Sequence, residues 1–298
     1  MKSKSLLALS ILFYLSTVSI SGQSSFTLDP KTSTLISNSQ IECIYQYKVV
    51  ASKRETADNA HEAGTITDTY TTILQANASM SKFWDWNIYK IDSIQYTSKL
   101  SPDSLNKLEI IYDRNIRCLF LPVIIKNYPT GKMTVTDKIV QDDYIYLEDE
   151  IERDWTLEND TLTICGYLCN KAETTFSGRK WVAWYAPEIA MSDGPWKLFG
   201  LPGLILKAID STQTHSFEAI SIRKSNAPVY LNKTISPIKI TKKDFFKNKT
   251  YFEGEKLKLE YLNDDQKNHM SISKEVLYIY KQRTNWNIIS KNNPLEFE

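Results

Sequence analysis

The 298-residue sequence predicts an α+β protein made mainly of antiparallel β-structure. Three observations lead there. Apolar residues alternate with polar ones over short runs, the period of a half-buried strand. Turn signals such as Tyr128-Pro129-Thr130-Gly131, Ser177-Gly178 and Asp193-Gly194-Pro195 recur between the runs. Helical signals are few, and short strands at this spacing favour a meander.

The elements follow in order. Cys43, Tyr45, Tyr47 and Val49 alternate with Glu42, Gln46 and Lys48 in a first strand. Ser52–Thr67 lacks large apolar residues except Ile66 and reads as a loop. Further strands are expected at 70–75, 108–112, 117–126, 132–140, 144–147, 161–168, 181–185, 203–209, 216–223 and near 256–261. A helix is expected over 88–96. A second is expected near 242–252, where Thr241 and Asp244 form a capping pattern ahead of Phe245. No repeat or low-complexity linker appears, so residues 23–298 read as one domain.

The first 22 residues set an address. A short basic start (Lys2, Lys4) precedes an apolar run from Leu6 to Leu15, then small and polar residues to Gly22. This is the order of a cleavable signal peptide, with the cut after Ser21 or Gly22. The expectation is export, to the periplasm or the medium, with no transmembrane span after cleavage. Removing Lys2 and Lys4 leaves 34 basic against 35 acidic residues, so the formal charge changes from +1 to −1. That balance provides no drive toward nucleic acid or another polyanion.

Export permits disulfides, and the candidates are Cys43, Cys118, Cys165 and Cys169. Three pairings are open. If Cys165 and Cys169 share one extended strand, they lie about 13 Å apart, too far to bond each other. No His lies near them in sequence, so neither a metal nor a cofactor is expected.

Residues 178–210 stand out. Four of the nine glycines fall here (Gly178, Gly194, Gly200, Gly203), with Pro187, Pro195 and Pro202 and with Trp181, Trp184 and Trp196. Such a concentration of backbone-shaping residues and large flat side chains means that the shape of this stretch is tightly specified. Pro202-Gly203 suits the centre of a type II turn. Trp181 and Tyr185 share one face of a strand, and Trp184 takes the other. The group Trp181, Trp184, Tyr185 and Trp196 reads either as core or as a platform for a ligand or partner.

Chemistry is sparsely marked. Arg179, Glu188 and Asp193 are the candidate catalytic set, with the two carboxylates as an acid–base pair in a hydrolase or peptidase-like site. The competing reading is that Asp193 forms the turn before Gly194-Pro195. His61, His215 and His269 are the only histidines. No G-x-S-x-G, H-E-x-x-H, P-loop or G-x-G-x-x-G motif is present.

The segment Gly200-Leu201-Pro202-Gly203-Leu204-Ile205 resembles, letter for letter, the hexapeptide of the GLPGLI family of exported Bacteroidetes proteins. Gly166-Tyr167-Leu168-Cys169-Asn170-Lys171-Ala172, Ala183-Trp184-Tyr185-Ala186-Pro187-Glu188-Ile189 and Gly194-Pro195 resemble other words of its pattern. So do Tyr128–Lys132 and Asn293–Glu296. The chain departs from the pattern at Ala186, where Thr is common, and at Ala190, where Pro is common. The resemblance implies an envelope-associated protein with no assigned activity. A further likeness to the bowl-like β domain of some bacterial glycan amidases implies a curved sheet, bowl-like or half-barrel. The functional expectation is a non-catalytic binding or scaffold protein whose partner is an envelope protein or an apolar, glycan or peptide ligand.

Overall fold

The computed structural model describes residues 33–52, 65–97, 120–139, 142–231 and 237–254. In chain order the strands are β1 (Thr34–Asn38), β2 (Ile41–Ser52), β3 (Thr65–Ala76) and β4 (Ser81–Asp85). Helix α1 (Trp86–Thr97) follows. Then come β5 (Val123–Lys126), β6 (Lys132–Ile139), β7 (Asp142–Asp149), β8 (Thr156–Ile164), β9 (Tyr167–Phe176) and β10 (Arg179–Ala186). The chain continues through β11 (Leu204–Asp210), β12 (His215–Lys224), β13 (Pro228–Leu231), β14 (Ile238–Lys239) and helix α2 (Lys242–Gly254). The expected strands at 108–112 and near 256–261, Cys118, and residues 1–22 lie outside the described residues.

Among the described residues, twelve strands form one sheet in the order β14-β7-β6-β5-β4-β3-β2-β12-β11-β10-β9-β8, and β1 pairs with β13 separately. Every pair is antiparallel except β14 with β7. Among the described residues the sheet does not close into a barrel and two short helices accompany it, so the expected class, mainly antiparallel α+β, is what the chain adopts.

The alternation read from the sequence sets which face is buried. Cys43, Tyr45, Tyr47 and Val49 of β2 all point into the core. Tyr47 stacks on Phe217 of β12 at 4.4 Å between ring centroids. The other face of β3 and β4 is covered by α1, through Ile73, Trp84 and Ile88.

Turns explain where the sequence reading shifts. Ser177 and Gly178, both at positive φ, make the two-residue turn between β9 and β10. Cys165 (φ 51°) and Gly166 (φ 84°) make a second such turn, between β8 and β9. The expected single strand at 161–168 is therefore two strands, and Cys165 and Cys169 do not share one. Glu158-Asn159-Asp160 has the composition of a turn but lies in a bulge within β8. Such primed turns match the twist of flanking strands and favour Asn or Gly, so Cys at the first position hides the signal.

Both helices are capped by a carboxylate or hydroxyl. Thr241 Oγ1 accepts from the Asp244 N–H at 3.1 Å, ahead of buried Phe245. Asp85 Oδ1 accepts from the N–H groups of Asn87 and Ile88 at the start of α1, and its Oδ2 accepts from the Phe120 N–H. Burial pushes the Asp85 carboxyl up to about 6, against the opposing pull of those three N–H groups. A folded-state value above the unfolded one means that the fold holds an extra proton between about 4 and 6, so stability falls as pH rises through that window. The expected result is that Asp85→Asn flattens this fall, by an amount on the order of 2–3 kcal/mol. Urea unfolding of both proteins between pH 4 and 7 measures it.

Candidate functional site

The segment between β10 and β11, residues 187–203, folds back onto the inner face of the sheet. Strand β11 begins with three buried residues, Leu204, Ile205 and Leu206, and after half-buried Lys207 comes buried Ala208. The Ile205 N–H donates to Asp193 O at 2.9 Å, and its carbonyl accepts from the Tyr45 hydroxyl at 2.8 Å. The Leu204 N–H donates to Ile189 O at 3.1 Å. Trp196, Leu198 and Leu201 are buried, and Trp196 packs against Trp181 and Phe176 at 5.7 and 5.4 Å.

Lys126, the last residue of β5, closes the arrangement. Its ammonium donates to Asp193 Oδ1, to Gly194 O at 2.7 Å and to Leu198 O at 3.4 Å. Three donors meet three acceptors, which satisfies an ammonium fully. Its side chain is 2 % exposed. Burial lowers its pKa, and the Asp193 carboxylate works against that fall. Four strands separate β5 from β11 in the sheet. On a flat sheet that gap is about 24 Å at ~4.8 Å per strand. Asp193 touches both, so the sheet curls around the segment.

Further polar ties surround it. Glu148 of β7 accepts from Lys197 in the segment and from Lys242 of α2. Although burial pushes the Glu148 carboxyl up, those two ammonium groups hold it below its ordinary value. Arg153 stacks on Phe176 and Phe199 at 3.7 and 4.6 Å, and Trp155 Nε1 donates to Phe199 O at 2.9 Å.

The sequence-nominated residues separate. Arg179 is buried in a pair with Asp210, at 2.6 Å. Asp210 also accepts from Thr212, Thr214 and the His215 N–H. Asp193 binds Lys126 and its own neighbour, the Gly194 N–H, at 2.6 Å. Glu188 is exposed beyond the end of β10. Arg179 begins that eight-residue strand, so the backbone positions of Arg179 and Glu188 lie more than about 20 Å apart. The three side chains do not converge. Trp181, Tyr185 and Trp196 are buried. Trp184 is half-buried on the outer face, directly across from Lys171 and Lys207, with Lys207 Nζ 5.7 Å from its ring.

Within the hexapeptide, Gly203 has φ 155°, and its N–H donates to Leu201 O at 2.8 Å. That is a three-residue turn about Pro202, not the type II turn expected. A Cβ on Gly203 would stand 2.3 Å from the Ala186 carbonyl oxygen, and one on Gly194 would stand 2.7 Å from Ile205 Cβ. Upstream, the Pro195 carbonyl accepts from the Leu198 N–H at 3.1 Å, and Gly200 takes φ 101°. Cys43, Cys165 and Cys169 are free thiols. Among the described residues, no group of three or more His, Cys, Asp or Glu side chains is placed to hold a metal ion.

Sequence reasoning does not single out Lys126, Glu148, Lys197 or Arg153, and it reads Tyr45 only as an apolar residue of the first strand. Parity carries a signal for two of them. Lys126 shares the inward face of β5 with Ile124, and Glu148 follows Tyr144 and Tyr146 on β7.

Fold and segment together define an open, curved antiparallel β protein with a loop bolted into its concavity. Residues 173–207, which run from β9 through the segment into β11, match a family described as a protein of unknown function (Porph_ging). The match is consistent with a Bacteroidetes-associated family. No curated protein matches. Two solved structures of PNGF-II, in space groups P21 and C2, are similar at 16 % and 15 % identity with TM-scores of 0.46 and 0.45. They cover 70 % and 72 % of this chain but only 32 % and 33 % of their own. The chain thus spans about a third of the length of those proteins.

Removing one partner of a buried ion pair leaves an uncompensated charge. Lys126→Ala is expected to lose about 3–5 kcal/mol in urea unfolding. Gly203→Ala is expected to lose about 2 kcal/mol or more, because backbone has to shift to admit the Cβ. An unchanged Tm in either variant contradicts the packing described.

Proposed function

We propose that this is an exported protein of the GLPGLI type, acting at the cell envelope as a non-catalytic binding or scaffold protein. The observation that carries the reading is the use made of the 187–203 segment. Apart from exposed Glu188, its charged residues and its tryptophan are engaged in packing: Asp193 on Lys126, Lys197 on Glu148, Trp196 on Trp181. A catalytic carboxylate needs access to substrate and a partner of different pKa. Asp193 is tied on the inner face, whereas Glu188 stands in solvent beyond β10. The ordered family-like words and the signal-peptide pattern support export. Trp184 is the aromatic of the nominated group that retains an open edge, and it is the candidate contact for an envelope partner or ligand.

The test is expression of the full chain in a Bacteroidetes host, followed by fractionation and N-terminal sequencing. The expected product begins just after Ser21 or Gly22 and lies outside the cytoplasm. Full-length protein retained in the cytoplasm overturns export. Turnover of a peptide or glycoside substrate that disappears in Glu188→Gln overturns the non-catalytic reading.

A further inference from the structure

Two buried polar side chains share one rung of the sheet and bond to no protein atom. Thr174 of β9 stands directly across from Trp181 of β10. Their exposures are 5 % and 0 %. Neither the Trp181 indole Nε1 nor the Thr174 Oγ1 has a hydrogen-bond partner in the protein. An indole N–H can only donate, whereas a hydroxyl both donates and accepts. Leaving either group buried and unbonded is costly, and folded proteins satisfy nearly all such groups through protein atoms or ordered water.

The carboxylate next along the rung is already committed. Asp210 of β11 stands across from Trp181 on its other side. Its Oδ1 accepts from the N–H groups of Thr214 and His215, and its Oδ2 accepts from Arg179 and from the hydroxyls of Thr212 and Thr214. Five donors use up its lone pairs and leave nothing for the indole. Aromatic rings cover the rung. Trp196, held at φ 52°, packs against Trp181 and Phe176, and Phe217 of β12 lies 6.4 Å from Trp181. These rings exclude bulk solvent and supply no oxygen acceptor.

The two atoms therefore call for a partner that is small, uncharged and able to accept. A cation cannot take an indole N–H. An anion would be buried without a counter-charge, because Arg179 is matched by Asp210. We propose that one internal water molecule bridges Trp181 Nε1 and Thr174 Oγ1 beneath Trp196. The water accepts from the indole N–H and shares a second hydrogen bond with the threonine hydroxyl. That gives it the two polar partners a buried water needs. The bridge joins β9 to β10 through their side chains where the 187–203 segment packs on them, and it is independent of any partner or export route.

Crystals of the full chain, diffracting well enough to place ordered water, test the site directly. The expected density lies within about 3.2 Å of both atoms. Thr174→Ser, which keeps the hydroxyl, retains it. Thr174→Val, nearly the same in shape, strips the water of one partner, so its Tm is expected to fall. If the hydroxyl is simply unbonded, the same change replaces an unsatisfied polar group by a methyl and Tm holds or rises. The proposal is overturned by absent density, by a direct bond from either atom to another protein atom, or by a Tm of Thr174→Val at or above that of the unaltered chain.

Discussion

The architecture depends on one buried ammonium. Lys126 stands at the end of β5, and its three donors reach the side chain of Asp193 and two carbonyls of the same segment. Asp193 is in turn fastened by its carbonyl to Ile205 of β11. One side chain thereby joins two strands that a flat sheet would hold far apart. Desolvating a lysine is costly, and a pair of this kind contributes shape more than net stability. The full set of acceptors is what makes it tolerable: none of the three N–H groups faces apolar surface without a partner.

The same logic runs along the rim. Glu148 links the segment to α2 through Lys197 and Lys242, while Arg179 and Asp210 fix the far end of β10. Glu42, almost wholly buried, accepts from Gln75, Tyr89 and Arg223 and so ties α1 to the other face of the sheet. These are charged or amide groups placed in pairs and triads between elements, where a misplaced partner leaves a buried charge unmatched. The described sheet has twelve strands, and its curvature has to be set by contacts between them. Buried polar ties favour the one arrangement in which each charge meets its partner. That selection is a positioning role, and it explains why two of the three residues nominated for catalysis, Arg179 and Asp193, are fully engaged.

The sequence made the strands legible wherever one face is buried. The alternation through Cys43, Tyr45, Tyr47 and Val49 is the burial pattern of β2, and Thr241 with Asp244 marks the start of α2. It failed where turn chemistry was unusual. Cys165 sits where Asn or Gly is common, so the break between β8 and β9 was unmarked. The crowding of Gly, Pro and Trp in 178–210 correctly pointed to a specified shape, but not to its form. Gly203 is needed because the Ala186 carbonyl crowds it, a contact between segments seventeen residues apart that local turn rules do not contain. Nor did local reading reveal which charges meet, because Lys126 and Asp193 are brought together only by the curl of the sheet. Lys126 carries the inward parity of Ile124, and a lysine at such a position is the best available sign of a buried ion pair.

Native-state amide exchange tests the central claim most directly. The Leu198, Leu204 and Ile205 N–H groups are bonded within or beside the 187–203 segment. If that segment is an integral part of the curved core, these amides exchange only through global unfolding, at rates matching those of Tyr45 and Ile73 in the central strands. Exchange faster by several orders of magnitude, with the central strands still protected, would show a loop that opens independently and would contradict the account.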